Sequence, residues 1–372
     1  IGSPAHKRRM TFRFVLALGL GLPLGQAAAA NHLLRVDAGQ HERSGTPVTF
    51  PLPDAGQAHW QLTDPGGKAV AIQSEGHGSA SFIVGKLAAF ETAVYMLAPA
   101  AKPTHKNVVH LAKQNGKLRI TIGDRTVLHY QAEKSELPRA DLDPIYRRGG
   151  YIHPVVTPGG TVITDDYPRN HKHHHGIWFP WTNTIFEGRK PDFWNMGNGT
   201  GTVEFTGLTG QWSGPVYAGF SSTHRFVDLI AKPKKVALTE TWRVQVYATG
   251  QAYHLFELES VQRCAGESKI QFPKYRYGGL GFRGHGDWDG KENCFYLTAN
   301  GENDRIKGHA TRARWCHRSE ERRVGKECRS RWSPDHSKKK HHHTPRPCFP
   351  CLYHTIFPSL LCCVFPIASP LT

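Results

Sequence analysis

The chain has 372 residues, 39% hydrophobic and 10% aromatic, with 38 Gly and 25 Pro, a composition that suits one or two globular domains rich in strands and turns. Its formal charge of +17 is concentrated at the ends: residues 1–30 hold four Lys or Arg and no acid, and residues 318–372 ten against four, leaving 33 basic and 26 acidic residues between. With no long basic helix or aromatic-basic RNA motif in that middle stretch, no nucleic-acid partner is expected.

From Met10 the chain has Arg13, an apolar run over 14–24 and small residues at 27–30. This is a secretory signal pattern, too short for a comfortable membrane span, and it predicts cleavage near Ala28 to Ala30 and a periplasmic or extracellular destination. Residues 1–9 read as sequence upstream of the true start, so 1–30 is set apart as leader. A small β unit is expected over 31–100, with strands at 46–52, 59–62, 81–84 and 93–97, a turn at Asp64-Pro65-Gly66-Gly67 and a linker at 98–104. Residues 101–317 form the expected main domain, opening with a hairpin over 117–130 about Gly123-Asp124. Further strands are expected at 161–164, 201–205, 219–227, 236–247 and 252–258. Trp242, Val244 and Val246 alternate with Arg243, Gln245 and Tyr247 as on a half-buried strand. After the leader no sustained 3.6-residue apolar period occurs, so the predicted fold class is all-β, an antiparallel sandwich.

Residues 161–196 gather two adjacent acids, four His within five residues and three Trp. Asp165, Asp166 and Pro168 read as a turn, and 176–179 restart an extended run, so the His run lies on a loop or a strand start. On a strand, His171, His173 and His175 share one face and His174 the other. Two His at i and i+2 reach one divalent metal, whereas a third in a straight strand lies about 13 Å from the first. His171 and His173 are therefore the candidate metal pair, needing a further ligand such as His153, Asp166 or His285. The alternatives are acid/base chemistry, a substrate-binding surface or a solvated loop. A second constellation, 278–290, is Gly-rich without the strand-then-helix setting of a phosphate loop. Its glycines are expected to let backbone approach a ligand while Arg283, His285 and Asp287 project toward it.

From Arg318 the text changes character. Residues 318–334 resemble a translated sequencing adapter, and 318–372 are expected to be a non-native tail that truncates the domain. On that reading His341 to His343 are no metal site, and only Cys264, Cys294 and Cys316 remain, too few and too scattered for a disulfide framework or a zinc signature.

At 146–154 (YRRGGYIHP), 164–178 (TDDYPRNHKHHHGIW), 191–205 (PDFWNMGNGTGTVEF), 277–294 and 304–316 the sequence resembles the PmoA-like family of exported bacterial proteins. That family is similar to galactose-mutarotase-like β-sandwich (supersandwich) proteins, which implies a small carbohydrate as ligand. The chain has no set of apolar spans, so the "methane oxygenase" label of the family does not describe a membrane monooxygenase subunit. The expectation is a carbohydrate-active enzyme in which His174 and His175, then His153, carry acid/base roles with Asp166 orienting one ring. Arg169, Asn183, Arg283, His285 and Asp287 are expected to hold polar groups, and Trp178, Trp181 and Trp194 to stack on a sugar face. No two-carboxylate hydrolase pattern is discernible, which favours epimerisation or mutarotation over hydrolysis. A carbohydrate-binding module without catalysis and a His-ligated metal-dependent oxidoreductase are the alternatives.

Overall fold

The computed structural model describes residues 31–319 apart from 54, 55, 57, 58, 77, 104, 135, 276, 291, 305 and 310. The expected leader and residues 320–372 of the expected tail lie outside them. Among the described residues the protein is all-β, with antiparallel strands and three single 3₁₀ turns. No described helix is long and apolar enough to cross a membrane.

The chain divides into two compact units. The first takes residues 31–108 together with 214–217 and 248–251; the linker read at 98–104 falls inside it. Its strands are β1 (His32–Asp37), β2 (Arg43–Pro51), β3 (Trp60–Thr63), β4 (Ala69–Val70), β5 (Ile72–Gly76), β6 (Ser79–Leu87) and β7 (Thr92–Pro99). They form a sheet of order β1-β7-β3-β4 and a second of order β2-β6-β5. Alternation dictates the core: Ala93, Tyr95 and Leu97 of β7 point inward while Thr92, Val94 and Met96 face out. Phe82 of β6 meets Tyr95 at 4.9 Å, which closes the small sandwich.

The second unit holds two larger sheets. The first, of order β19-β12-β11-β10-β9-β8, contains β8 (Val109–Gln114), β9 (Lys117–Ile122), β10 (Arg125–Gln131), β11 (Tyr151–Val155), β12 (Ile177–Trp178) and β19 (Gly281–Phe282). The second, β14-β15-β16-β17, contains β14 (Gly201–Trp212), β15 (Tyr217–Asp228), β16 (Lys235–Tyr247) and β17 (Leu255–Cys264). Tyr130 of β10 lies 4.4 Å from Phe220 of β15 and 6.2 Å from Trp242 of β16, so these sheets pack face to face. Two small pairs complete the unit, β13 (Ile185–Phe186) with β18 (Ile270–Gln271) and β20 (Phe295–Thr298) with β21 (Cys316–Ser319).

The expected hairpin is present, with Arg125 opposite Ile122 across Gly123-Asp124 and Gly123 at φ 54°. The strand expected at 161–164 is not formed: Val162 and Thr164 make only isolated bridges to Val156 and Gly284. The Thr164 hydroxyl takes the Val155 N–H at 3.0 Å, a side chain standing where a ladder carbonyl would. β16 is buried more widely than its half-buried pattern predicts, because Gln245 donates to Tyr247 Oη (3.0 Å) and Tyr247 donates to Glu257 (2.8 Å). β17 begins at Leu255, later than expected, and runs on to Cys264.

One glycine fixes how closely β12 approaches β11. A Cβ on Gly176 would stand 2.3 Å from the Ile152 carbonyl oxygen, and the Gly176 carbonyl accepts the Arg283 N–H at 2.7 Å. Gly176→Ala is expected to destabilise the second unit by about 1–3 kcal/mol through overpacking against rigid backbone. Urea denaturation measures this; an unchanged midpoint would contradict the packing described.

Candidate functional site

The His-rich segment is shaped by backbone before any side chain acts. Asp166 N–H donates to Asp165 Oδ1 (2.8 Å), and Asp165 N–H to the Arg283 carbonyl (3.1 Å). Tyr167 then takes a left-handed backbone (φ 50°), a conformation costing about 1–2 kcal/mol for a residue with a Cβ. Its N–H closes the loop onto the His174 carbonyl at 3.0 Å. Inside that loop His171 N–H reaches the Pro168 carbonyl and His174 N–H the His171 carbonyl, so 168–174 is two consecutive turns. The strand-like alternation therefore does not apply. His171 instead stacks on His174 (4.6 Å, 28°), His173 meets His174 edge-on (4.7 Å, 85°), and His175 turns inward.

His175 is fully buried, and its Nδ1 lies 2.6 Å from Asp166 Oδ1. The other oxygen of Asp166 accepts the Tyr151 hydroxyl at 2.9 Å. Burial holds His175 below the ordinary imidazole range despite the carboxylate beside it. A neutral ring facing a carboxylate must carry its proton on Nδ1, which leaves Nε2 with a lone pair and no partner among the described residues. Tyr151 (4.3 Å) and Tyr167 (4.7 Å) enclose the ring. Burial, then the charge of Asp166, push the Tyr151 hydroxyl well above its usual range.

Arg148 and a second carboxylate–imidazole pair were not singled out by sequence. His224 Nδ1 lies 2.9 Å from Glu240 Oε2, and His224 Nε2 lies 2.6 Å from the Tyr130 hydroxyl, all three side chains being buried. Ser260 (2.6 Å) and Gln262 (2.8 Å) donate to the other oxygen of Glu240. Burial alone would raise Glu240, but His224, Ser260 and Gln262 together hold it below its ordinary value. Arg148 is 1% exposed, and burial draws its guanidinium below the ordinary value while the charge of Glu240 opposes this. A Cβ on Gly150 would stand 2.9 Å from the His224 ring, and one on Gly149 would meet the Ala132 backbone, so both glycines are needed for the close course of the chain after Arg148. The signal was available. Glu240 follows the inward register of Leu238, Trp242 and Val244, and His224 that of Phe220 and Phe226.

Beside this buried layer lies a cleft of about 1080 Å³. His171, His174, Trp178, Trp194, Arg283 and His285 line it, joined by Tyr277 and Asp289 from outside the expected set. Burial and the neighbouring imidazoles draw His174 down to about 3 and His173 to about 4. Trp194 is set by Asp192, whose Oδ1 takes the N–H groups of Trp194 (2.9 Å) and Asn195 (2.8 Å). Arg283 Nη2 reaches both oxygens of Asp289 (3.0 and 2.8 Å). The glycines at 281 and 284 serve rings: an added Cβ would stand 2.9 Å from Trp178 and 2.5 Å from Trp288. Both also line the cleft, where the sequence expected glycine to let backbone approach a ligand.

Other expected residues lie elsewhere. His153 is bonded through Nδ1 to Thr164 (3.0 Å) and lowered by burial. Trp181 packs on Phe272 (4.4 Å) and donates to Gln262 (2.9 Å), joining the core. Asn183 is half-buried and Arg169 exposed, and neither lines the cleft. Asp287 points outward, its side chain 85% exposed. His171 and His173 have ring centroids 6.1 Å apart; among the described residues no group of three or more His, Cys, Asp or Glu is placed to hold a metal ion. Cys264, Cys294 and Cys316 are free thiols.

The depressed imidazoles set a pH dependence. An unfolded His binds its proton near pH 6.5, whereas folded His173, His174 and His254 bind theirs only at about 4, about 3 and about 4. Between those limits the unfolded chain carries more protons, so stability is full above pH 6.5 and is lost as pH falls toward 3–4. The thermal midpoint is expected to drop steadily from pH 7.5 to 4.5, with a shallower slope in His174→Gln. A midpoint flat across that range would contradict the burial of these rings.

No curated protein matches the chain. The model of a family of unknown function, DUF6807, matches residues 117–345. The match takes in both carboxylate–imidazole pairs and every described residue lining the cleft, and crosses Arg318. The chain belongs to that family of unknown function.

Proposed function

We propose that the protein is an exported bacterial, carbohydrate-active enzyme of the PmoA-like kind, binding a sugar in the cleft and moving protons at a hemiacetal or glycosidic oxygen. The observation that carries this reading is the convergence of His171, His174, His285 and Arg283 with Trp178, Trp194 and Tyr277 in one cleft. Aromatic rings offer apolar faces to sugar C–H groups while the polar side chains meet hydroxyls. The resemblance to galactose-mutarotase-like sandwiches supports the ligand class, and the signal pattern from Met10 supports export.

The residues divide by access. His174 is free base at neutral pH, presenting a lone pair to a ligand hydroxyl. His175 is closed off by its rings and serves as a positioning residue: with Asp166 it holds the loop that presents His174. Arg283, braced by Asp289, donates to ligand oxygens. A second reading, a binding module without catalysis, is favoured by one observation. A base drawn down to about 3 is a weak proton acceptor at neutral pH.

Interconversion of sugar anomers and epimers in an aldose panel, followed by NMR, separates the readings. An enzyme is expected to lose about 100-fold or more in turnover in His174→Ala, with sugar binding retained. Binding with no turnover in the wild type would establish the module, and no binding of any sugar would overturn the carbohydrate reading.

A further inference from the structure

Four aromatic rings run in file from the floor of the cleft to open surface. Trp178, 2% exposed, lies 5.9 Å from Trp194, which lies 5.7 Å from Tyr277, which lies 6.0 Å from Tyr275. The first three line the cleft, and Tyr275 continues the file past that lining. Tyr277 and Tyr275 are 48% and 53% exposed, so half of each ring is left to solvent. A single exposed aromatic is ordinary, but a contiguous file leading out of a cleft marks a binding track.

We propose that the cleft takes a chain of linked sugar units and not a lone monosaccharide, with one end held against Trp194 beside His174 and later units lying over Tyr277 and Tyr275. The proposal rests on the carbohydrate reading. Steps of 5.7 and 6.0 Å between the centroids of Trp194, Tyr277 and Tyr275 are comparable with the repeat of linked pyranose rings, so one unit falls to each of these three, while buried Trp178 backs the first. The cleft, about 1080 Å³, stands at the upper limit of pockets built for a drug-sized ligand, which run to about 1,000 Å³. His174 lies 5.3 Å from Trp178 and 5.7 Å from Trp194, so the proton-accepting group meets the end of the chain and not its middle.

Calorimetric titration of the full-length protein with one- to six-unit members of the cello-, malto-, xylo- and galacto-oligosaccharide series tests this. In the series that binds, Kd is expected to fall about three- to tenfold with each added unit until the rings are covered, then level off. Tyr275→Ala is expected to remove the gain of the longer members and leave one-unit affinity unchanged, with a thermal midpoint like the wild type. If one unit binds as tightly as six, or if Tyr275→Ala weakens every length equally, the chain proposal is overturned and the carbohydrate reading stands. If no member of any series binds, both are overturned.

Discussion

The structure around the cleft depends on one carboxylate accepting two buried donors. Asp166 takes the His175 ring on one oxygen and the Tyr151 hydroxyl on the other. A buried imidazole N–H and a buried phenol would each cost about 1–3 kcal/mol if left unpaired. Satisfying both at one side chain draws the end of the His run inward and pins it against β11. The left-handed turn at Tyr167 is held by the same arrangement, because its ring closes one side of His175 and its N–H closes the loop. With His175 fixed, the preceding His171 and His174 have no course except outward, where they meet each other and the wall of the cleft.

The buried polar groups beneath are connected as a set. Arg148 is buried between two carboxylate–imidazole pairs, and a buried guanidinium without counter-charge would cost several kcal/mol. Burial draws its guanidinium below the ordinary value, and the charge of Glu240 works against that. Glu240 is itself held by His224, Ser260 and Gln262, and Gln262 receives Trp181. This polar layer crosses the sandwich from one sheet to the other. It accounts for the stretch at 146–154: the buried arginine, Gly150 without which the chain would collide with His224, and the tyrosine that meets Asp166.

Strand periodicity made most of the fold legible, since β2, β6, β7, the β9–β10 hairpin, β15 and β16 are written as alternation broken by turn residues. The exceptions are local. Thr164 satisfies a neighbouring backbone N–H through its side chain, so an alternating stretch forms bridges without a strand. In the site, the crowding of His, Asp and Trp over 161–196 identified where chemistry gathers, and His174, Trp178, Trp194, Arg283 and His285 do meet. Which imidazole faces solvent was not legible, because a turn pairs residues three apart where a strand pairs residues two apart. Trp181 and Trp194 look alike in sequence. Gln262, far away in the chain, holds one in the core, and Asp192, two residues before the other, holds it in the cleft.

The most direct test of the Asp166–His175 bond is the imidazole spectrum of the protein labelled with 15N-histidine, with His175 assigned by comparison with His175→Gln. The account predicts a neutral ring protonated on Nδ1 at pH 7, with a downfield, slowly exchanging proton that disappears in Asp166→Asn. A His175 signal that titrates near pH 6.5 with its ring protons in rapid exchange with water would contradict it.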